Sequence, residues 1–396
     1  MAIDIDAGLA GTSLAISPTP SAHFGVGSVA RLGQVLAEAG TSKAVIVTDA
    51  GLAATPVIGA VRAAIDEAGI PVAMFTGVHA NPTTDDIAAG ADAVTSFAGC
   101  APATLVAVGG GSSIDAAKGI ALAAVNPQRG RDLDYRRDFA VAGLPLVAIP
   151  TTAGTGAETN AFGVVTDPLT HRKFYVGHAT TMPAAAILDP KLTVGLPPAA
   201  TAATGIDALT HAIESYLSIR ANPWADGIAL QVIKMISGHL ASAWTDGTDL
   251  EARSQMLLAA HMAGVGMATT GLGLVHAIGH ALGGRYDIAH GVTLAMVLPQ
   301  VLRFSQPVRS ARLNAIAIAL GAGDASRDND WNAAAAIDAV TSLRDEVGLA
   351  VRPSDFGVAE QDFAAIAAHA LDDEVLTNAP RQPTATEIGA ILAQTA

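Results

Sequence analysis

The chain has 396 residues, of which 51% are hydrophobic and 15% charged, with a formal net charge of −14 and a single cysteine, Cys100. Since one hydrophobic core rarely grows past roughly 250–300 residues, this length predicts two domains. The acidic charge and the absence of Lys/Arg-rich runs argue against nucleic acid or an anionic membrane surface as partner and favour small molecules. A lone cysteine excludes an intrachain disulfide and a thiolate cluster for a metal.

The opening segment "MAIDIDAGLAG" (1–11) carries acids where a signal peptide would carry basic residues. No apolar run approaches the ~18 uncharged residues of a membrane span. A cytoplasmic protein is therefore expected.

The first half of the chain alternates β-branched runs with Ala-rich helical stretches, a pattern typical of parallel strands joined by helical crossovers. Strands are predicted at 43–51, 72–77, 104–112, 144–152 and 185–190, and helices at 26–40, 54–69 and 112–125. Beyond "VGLPPAATAATG" (194–205) long amphipathic stretches replace the strands, at 206–219, 226–243, 251–268 and 310–320. The predicted organisation is an α/β domain at 1–195 and an all-helical domain at 196–396.

A glycine-rich loop, "VAVGGGSSIDAAKG" (106–119), separates a buried strand from a helix start. Glycines let a backbone approach a ligand closely, Ser112 or Ser113 can cap the helix, and free N–H groups at a helix start suit a pyrophosphate. The spacing matches neither G-x-G-x-x-G nor the G-x-x-x-x-G-K-[ST] of nucleotide triphosphatases. A tight strand-to-helix turn without a ligand explains this loop equally well.

Two further polar segments follow predicted strands. Asp49 ends "AVIVTD" (44–49), where a carboxylate can accept hydrogen bonds from a ribose diol and repel a 2′-phosphate, which favours NAD over NADP. The loop "PTTAGTGAETN" (150–160) combines hydroxyls and glycines, as a phosphate or nicotinamide cradle does; a cluster of Ser/Thr turns is the alternative. Because all three loops fall at carboxyl ends of neighbouring predicted strands, the ligand edge of an open sheet, binding is the favoured interpretation.

The segment "GIDALTHAIESYLS" (205–218) places Asp207 and His211 four residues apart, on one face of a predicted helix. A carboxylate and an imidazole at this spacing form half of a divalent-metal site. For this pair alone, an aspartate that caps the start of the helix is the more economical interpretation.

The segment "GLVHAIGHALGGRYDIAHG" (273–291) contains three of the chain's eleven histidines. His276 and His280 share a helix face, whereas His290 would lie roughly 21 Å from His276 along a continuous helix. The paired glycines at 283–284 are predicted to end the helix and turn the chain back, so that one ion can reach both. Nitrogen and oxygen ligands without thiolate suit Fe²⁺, Zn²⁺, Mn²⁺ or Co²⁺.

Taken together, these motifs resemble the iron-containing (group III) alcohol dehydrogenase family. The resemblance covers nearly the whole chain, through "GGGSSIDAAK", "PTTAGTGAETN", "LPPAATAATGIDALTHAIESYLS" and "GLGLVHAIGHALGGRYDIAHG" in that order. It implies an N-terminal α/β dinucleotide-binding domain, a parallel sheet with flanking helices, and an all-α C-terminal metal-binding domain, an architecture like that of dehydroquinate synthase. It also implies an enzyme that forms a homodimer or a higher homo-oligomer.

Carried over residue by residue, the resemblance implies four metal ligands: Asp207, His211, His276 and His290. His280 would lie beside the metal without binding it, as a candidate catalytic proton relay. The implied NAD-binding residues are Asp49, Asn81, Gly110, Gly111, Ser112, Thr151, Thr152, Asn160, Phe162, Lys173 and Leu192. The implied reaction transfers a hydride between an alcohol and NAD, with Fe²⁺, Zn²⁺ or another divalent metal as Lewis acid on the alcohol oxygen.

The chain departs from the common family pattern at a few positions. Met267 stands where many relatives have an aromatic residue, which predicts a roomier and more adaptable substrate pocket, and Ala289 and Leu294 stand where Pro and Asn are frequent. The expected substrates are small primary alcohols or diols and their aldehydes, with 1,2-propanediol and lactaldehyde as one pair.

Two other functions compete with this one. The first is a dehydroquinate synthase-like lyase that also uses NAD and a metal; it would need a basic pocket for a phosphorylated acid, and no Lys/Arg cluster lies near the histidines in the sequence. The second is a metal- or nucleotide-binding regulator, which the close set of catalytic residue types disfavours.

Overall fold

The computed structural model describes residues 13–170 and 172–395, so the opening segment used to predict location lies outside the described residues. Within the described residues, the chain divides into an α/β unit, residues 18–195, and a helical unit made of residues 13–17 and 196–395. Ser17, which the sequence pattern assigns to the first domain, groups with the helical unit, where its Oγ donates to the Ala268 carbonyl over 2.8 Å.

The α/β unit is built on a parallel six-stranded sheet in the order β1-β8-β5-β4-β2-β3, and a separate antiparallel pair, β6-β7. The strands are β1 (Ser21–Phe24), β2 (Lys43–Asp49), β3 (Val72–Val78), β4 (Ala103–Gly109), β5 (Leu146–Pro150), β6 (Phe162–Asp167), β7 (Arg172–Gly177) and β8 (Ala185–Leu188). The predicted parallel sheet is confirmed. The short edge strand β1 and the β6-β7 pair were not predicted.

Both faces of the sheet are buried, which explains the nearly continuous apolar runs of its strands. Val45 and Val47 of β2 belong to one core, whereas Ala44 and Ile46 belong to the core on the opposite face, as the two-residue period of a strand requires. The helices of this unit are α1 (Leu32–Glu38), α2 (Ala50–Ala53), α3 (Pro56–Glu67), α4 (Thr84–Ala98) and α5 (Gly111–Ala123). Helix α4 was not predicted, although a capping box of Thr83 and Asp86 marks its start.

The helical unit contains no strand within the described part of the chain, as predicted. Its helices are α6 (Pro198–Leu217), α7 (Pro223–Thr245), α8 (Leu250–Thr270), α9 (Leu274–Tyr286), α10 (His290–Ala319), α11 (Asn329–Glu346), α12 (Phe363–Leu371) and α13 (Ala385–Thr395). The second part of helix α10, after a break at Arg309 (φ −136°, ψ 20°), covers residues 310–319 of the predicted helix 310–320.

Over residues 13–170 and 172–395, no single helix is long and apolar enough to cross a membrane; α8 and α9 pass that test only as a pair bent by 107°.

Candidate functional site

Helix α6 carries Asp207 and His211 into the interior of the helical unit. Both side chains are buried, and so are the apolar neighbours Ile206, Leu209 and Ile213 on the same helix. Because α6 begins at Pro198, Asp207 lies in the middle of the helix and cannot cap its start. The capping interpretation of this aspartate is therefore wrong, and a buried carboxylate needs another charge-compensating partner.

Helix α9 carries His276 and His280, and the chain reverses before His290, but not where the sequence predicts it. The glycines at 283–284 lie inside α9, which continues to Tyr286. The helix ends at Asp287, whose φ of 53° is in the left-handed region, and His290 then opens α10. Paired glycines are tolerated within a packed helix, so the predicted break is wrong in position. The predicted return of His290 towards His276 is observed.

Three imidazoles converge on one carboxylate oxygen. The Nε2 atoms of His211, His276 and His290 lie 3.2, 3.6 and 3.7 Å from Oδ1 of Asp207. Ligand atoms of Asp207, His276 and His290 all lie within 4.8 Å of one another. The structure thus brings together all four predicted ligands from three helices.

The charges of this cluster are mutually dependent. Burial opposes the charge of Asp207, yet the imidazoles of His211, His290 and His276 hold the pKa of its carboxyl well below the usual range. Burial also opposes a charge on His276, but the carboxylates of Asp207 and Glu214 raise the pKa of this imidazole to about 9. The cluster therefore favours an ionised Asp207 carboxylate beside a protonated His276 imidazole.

The donor atoms fit a divalent metal ion. Among the described residues, neither Oδ1 of Asp207 nor Nε2 of His276 has a hydrogen-bond partner, although both atoms are buried. A buried polar atom without a hydrogen-bond partner lowers the stability of the fold unless another group, such as a bound ion, interacts with it. One carboxylate oxygen and three imidazole nitrogens suit Fe²⁺ or Zn²⁺, whereas hard ions such as Mg²⁺ prefer all-oxygen sites.

His280 lies next to this cluster. Its ring stacks on that of His290 with centroids 5.3 Å apart, and its Nδ1 donates to Oδ2 of Asp373 over 2.7 Å. The carboxylate of Asp373 follows helix α12, and its other oxygen accepts from the Val375 N–H over 3.1 Å. Met267, the predicted pocket residue, lies in the last turn of α8 and is partly exposed.

Two acidic residues of this site, Glu214 and Asp373, were missed by the sequence analysis. Glu214 lies seven residues after Asp207 and three after His211, so a helical face of Asp207, His211 and Glu214 was readable from the spacing. Asp373 has no such signal, because it lies ninety-three positions from His280 and meets it only in the fold.

In the α/β unit, the three predicted loops follow the adjacent strands β2, β4 and β5, at their carboxyl ends. Asp49 ends β2, and its Oδ1 accepts from the Leu52 N–H over 2.8 Å, so this carboxylate caps α2. Thr151 follows β5 and donates its N–H to the Gly109 carbonyl at the end of β4. The sheet therefore aligns these loops along one edge, as expected of a ligand edge.

The glycine loop differs from its prediction in one respect. Because α5 begins at Gly111, its N-cap is Gly110, so neither Ser112 nor Ser113 occupies that position, and no side chain caps this helix start in the described structure. A Cβ on Gly110 would lie 3.1 Å from the Thr152 methyl group, and one on Gly111 would lie 2.8 Å from that of Thr155. The glycines thus permit close packing of the two predicted cofactor loops at the start of α5.

Other predicted cofactor residues have structural partners. The Lys173 ammonium donates to Oδ1 of Asn81 over 2.9 Å, and Asn81 adopts a left-handed φ of 53°. Oδ1 of Asn160 accepts from the buried Lys118 ammonium over 3.0 Å. Of the remaining two, Phe162 is 40% exposed, and Leu192 is buried in the sheet core.

Two models of one protein family match this chain, one in each unit. Residues 19–190 match the family model for iron-containing alcohol dehydrogenases, and residues 201–396 match the C-terminal model of the Fe-containing alcohol dehydrogenase family. The chain belongs to the iron-containing alcohol dehydrogenase family. It is therefore an alcohol dehydrogenase, an oxidoreductase, as the sequence predicts. Membership of this family favours that function over the lyase and the regulator.

Individual members of the iron-containing alcohol dehydrogenase family match over nearly their full length. The NAD-dependent methanol dehydrogenase of Bacillus methanolicus is 38% identical, over 94% of this chain and 97% of its own. The lactaldehyde reductase of Escherichia coli (strain K12) is 36% identical, over 93% of this chain and 96% of its own. A crystal structure of 1,3-propanediol oxidoreductase matches with a TM-score of 0.92 at 37% identity, covering 96% of this chain and 98% of that one.

Proposed function

We propose that this protein is an NAD-dependent, divalent-metal-dependent alcohol dehydrogenase and aldehyde reductase for small primary alcohols or diols, with 1,2-propanediol and lactaldehyde as one pair. The observation that carries the proposal is the convergence of three imidazole nitrogens on Oδ1 of Asp207. The names of the relatives support it, since they act on methanol, lactaldehyde and a propanediol as their names state.

In this proposal Asp207, His211, His276 and His290 hold Fe²⁺ or Zn²⁺. The bound ion supplies Lewis acidity towards the oxygen of the alcohol or aldehyde. His280 is the candidate for moving the hydroxyl proton, because Asp373 fixes its Nδ1 and it lies against His290. Met267 is proposed to line the substrate pocket.

For the cofactor, we propose that the N–H groups at the start of α5 bind the NAD pyrophosphate and that the Asp49 carboxylate accepts from the adenosine ribose. The remaining predicted cofactor residues complete that site. A homodimer or higher homo-oligomer in the cytoplasm stays a prediction.

The proposal is tested by purifying the protein anaerobically, adding back Fe²⁺ or Zn²⁺, and following NADH absorbance over a panel of alcohols and aldehydes. Turnover of small primary alcohols or diols that depends on added metal is expected. The same panel with NADPH tests the cofactor. An enzyme that turns over none of these compounds with either metal would refute the dehydrogenase and favour the lyase.

Replacing Asp49 by glycine is expected to shift the preference from NAD towards NADP, because it removes the negative charge that repels a 2′-phosphate. Since Asp49 also caps α2, the substitution should lower the free energy of unfolding by a few tenths of a kcal/mol, as expected of a Gly cap. Asp49→Asn is the matched control, because its amide oxygen retains the cap without the charge. The kcat/KM ratio for the two cofactors is measured in each variant, and an unchanged ratio in both contradicts the ribose contact.

Metal uptake by the metal-free protein is expected to release a proton near pH 7.5. With a pKa of about 9, His276 carries a proton on both nitrogens there, and Nε2 must lose its proton before it can bind an ion. Apparent metal affinity should therefore rise with pH and level off above that pKa, and fall as the pH is lowered. Calorimetric Zn²⁺ titrations in two buffers of different ionisation enthalpy measure the proton release, which should disappear above the pKa of His276. Identical heats of zinc binding in both buffers near pH 7.5 would show that metal uptake releases no proton.

A further inference from the structure

Glu214 is a buried carboxylate on the ligand-bearing face of α6 that the proposed function leaves unexplained. Its side chain is 7% exposed, and it lies one helical turn beyond His211. A buried carboxylate is costly unless hydrogen-bond donors surround it. The groups that donate hydrogen bonds to Glu214 show which part of the structure this side chain holds in place.

Three N–H groups point at this carboxylate. Oε2 accepts from Nδ1 of His276 over 2.6 Å and from the Gly273 N–H over 3.0 Å, while Oε1 accepts from the Val275 N–H over 2.7 Å. A Cβ at position 273 would lie 3.1 Å from Oε1, so glycine permits this close approach. Both carboxylate oxygens are thereby committed to the start of α9.

The contact with His276 determines which of its nitrogens can bind an ion. An ionised carboxylate only accepts hydrogen bonds, so Nδ1 carries the proton that is donated to Glu214. Nε2 is on the opposite side of the ring and faces Oδ1 of Asp207 at 3.6 Å. The same carboxylate also holds the backbone that carries His276, through the N–H groups of the N-cap residue Gly273 and of Val275 in the first turn of α9.

We propose that Glu214 is a positioning residue for the metal centre: it holds His276 as the Nδ1-protonated tautomer, with its ring oriented so that Nε2 is the ligand atom. This inference rests on the proposed function, since it assumes that the four residues bind a metal. Carboxylates behind metal-binding histidines orient the ring and raise the basicity of the ligand in this way.

A purely structural role would consist of the two backbone contacts alone, which satisfy N–H groups at the start of α9. Loss of that role would lower stability without changing the tautomer of His276. The two roles therefore separate in a measurement on the imidazole itself.

The test is Glu214→Gln, which retains the shape of the side chain but introduces an amide donor among three N–H donors. Zinc affinity, measured by competition with a chromophoric chelator, is expected to fall about 10- to 100-fold. In the zinc-loaded unaltered protein, NMR of the imidazole nitrogens should show the proton of His276 on Nδ1, and the variant should show a weakened Nδ1 hydrogen bond or a mixture of tautomers.

The matched control is Asp226→Asn. Asp226 is a partly buried carboxylate of the same unit, paired with Arg312 over 2.6 Å and absent from the metal cluster. This variant should lose thermal stability but retain zinc affinity within about twofold.

Zinc affinity and His276 tautomer both unchanged in Glu214→Gln would overturn the inference while leaving the metal site intact. If that variant does not fold, the NMR result on the unaltered protein decides, because a proton on Nε2 of His276 in the zinc-loaded state is incompatible with the proposal. Failure of the unaltered protein to bind zinc or iron would instead overturn the proposed metal function, and the inference with it.

Discussion

Replacing His276 by alanine is expected to abolish metal retention and alcohol oxidation while NAD binding survives. The substitution removes one of three nitrogens around Oδ1 of Asp207 and leaves the buried Glu214 carboxylate without its strongest donor. Removing one partner of a buried ion pair costs about 3–5 kcal/mol, so the free energy of unfolding should fall as well. The loss of metal affinity should exceed the roughly 100-fold effect of losing an outer-shell contact.

Metal content after dialysis, NADH formation and NAD affinity by calorimetry measure these outcomes separately. The control is His239→Ala, because His239 lies on α7 of the same unit and its Nδ1 only donates to the Met235 carbonyl, over 2.9 Å. That variant should retain its metal and its activity. A His276→Ala protein with full metal content and full activity would show that the site is wrongly assigned.

Replacing Gly291 by alanine is expected to disrupt the proposed metal centre without altering any of its four proposed ligands. A Cβ at this position would collide with the Ala203 carbonyl oxygen of α6 and lie 2.5 Å from its carbonyl carbon. Backbone atoms of a packed helix cannot rotate away, so the first turn of α10, which begins with His290, must move from α6. Overpacking of this kind costs about 1–3 kcal/mol or more, and the displacement of His290 should weaken metal binding at least tenfold.

Gly284→Ala provides the matched control for this variant. Gly284 lies inside α9, and its added Cβ would meet only an atom of His369, at 4.0 Å. Alanine should therefore raise the free energy of unfolding by about 0.5–1 kcal/mol through helix propensity and leave metal affinity unchanged. Chemical denaturation measures the stability of both variants, and chelator competition measures their metal affinity. Equal metal affinity in Gly291→Ala and the unaltered protein would show that the position of His290 does not depend on Gly291.

The contrast between these glycines shows which features of the site are readable from the sequence. Gly283 and Gly284 look like a helix end, yet helix packing keeps both inside α9. The reversal depends instead on Asp287, which adopts a left-handed conformation. Aspartate tolerates this conformation better than most residues, but an aspartate in a sequence seldom indicates where it occurs. Gly291 is needed because two helices approach each other closely there, and only the three-dimensional arrangement reveals that approach.

The residues that surround the proposed ligands also differ in how far the sequence predicts them. Glu214 shares a helix face with Asp207 and His211, so its position beside them is predictable from the local spacing. Its role becomes clear only from the three hydrogen bonds that it accepts in the structure. Asp373 meets His280 across the fold, and no local pattern predicts that pair. In the α/β unit, Ser112 and Ser113 looked like caps, whereas the helix start at Gly111 makes a glycine the N-cap.

The amino-acid sequence was enough to predict the parallel sheet, the helical unit that follows it, the loops at adjacent strand ends, and the side chains of the proposed metal site. It could do so because strand alternation, helical periodicity and the donor atoms of side chains are properties of short segments. The three-dimensional structure was needed to show that the three Nε2 atoms meet one oxygen of Asp207, that Glu214 contacts the ring of His276, and where α9 ends. These features depend on how α6, α9 and α10 pack, and that packing is set by contacts between residues far apart in the chain.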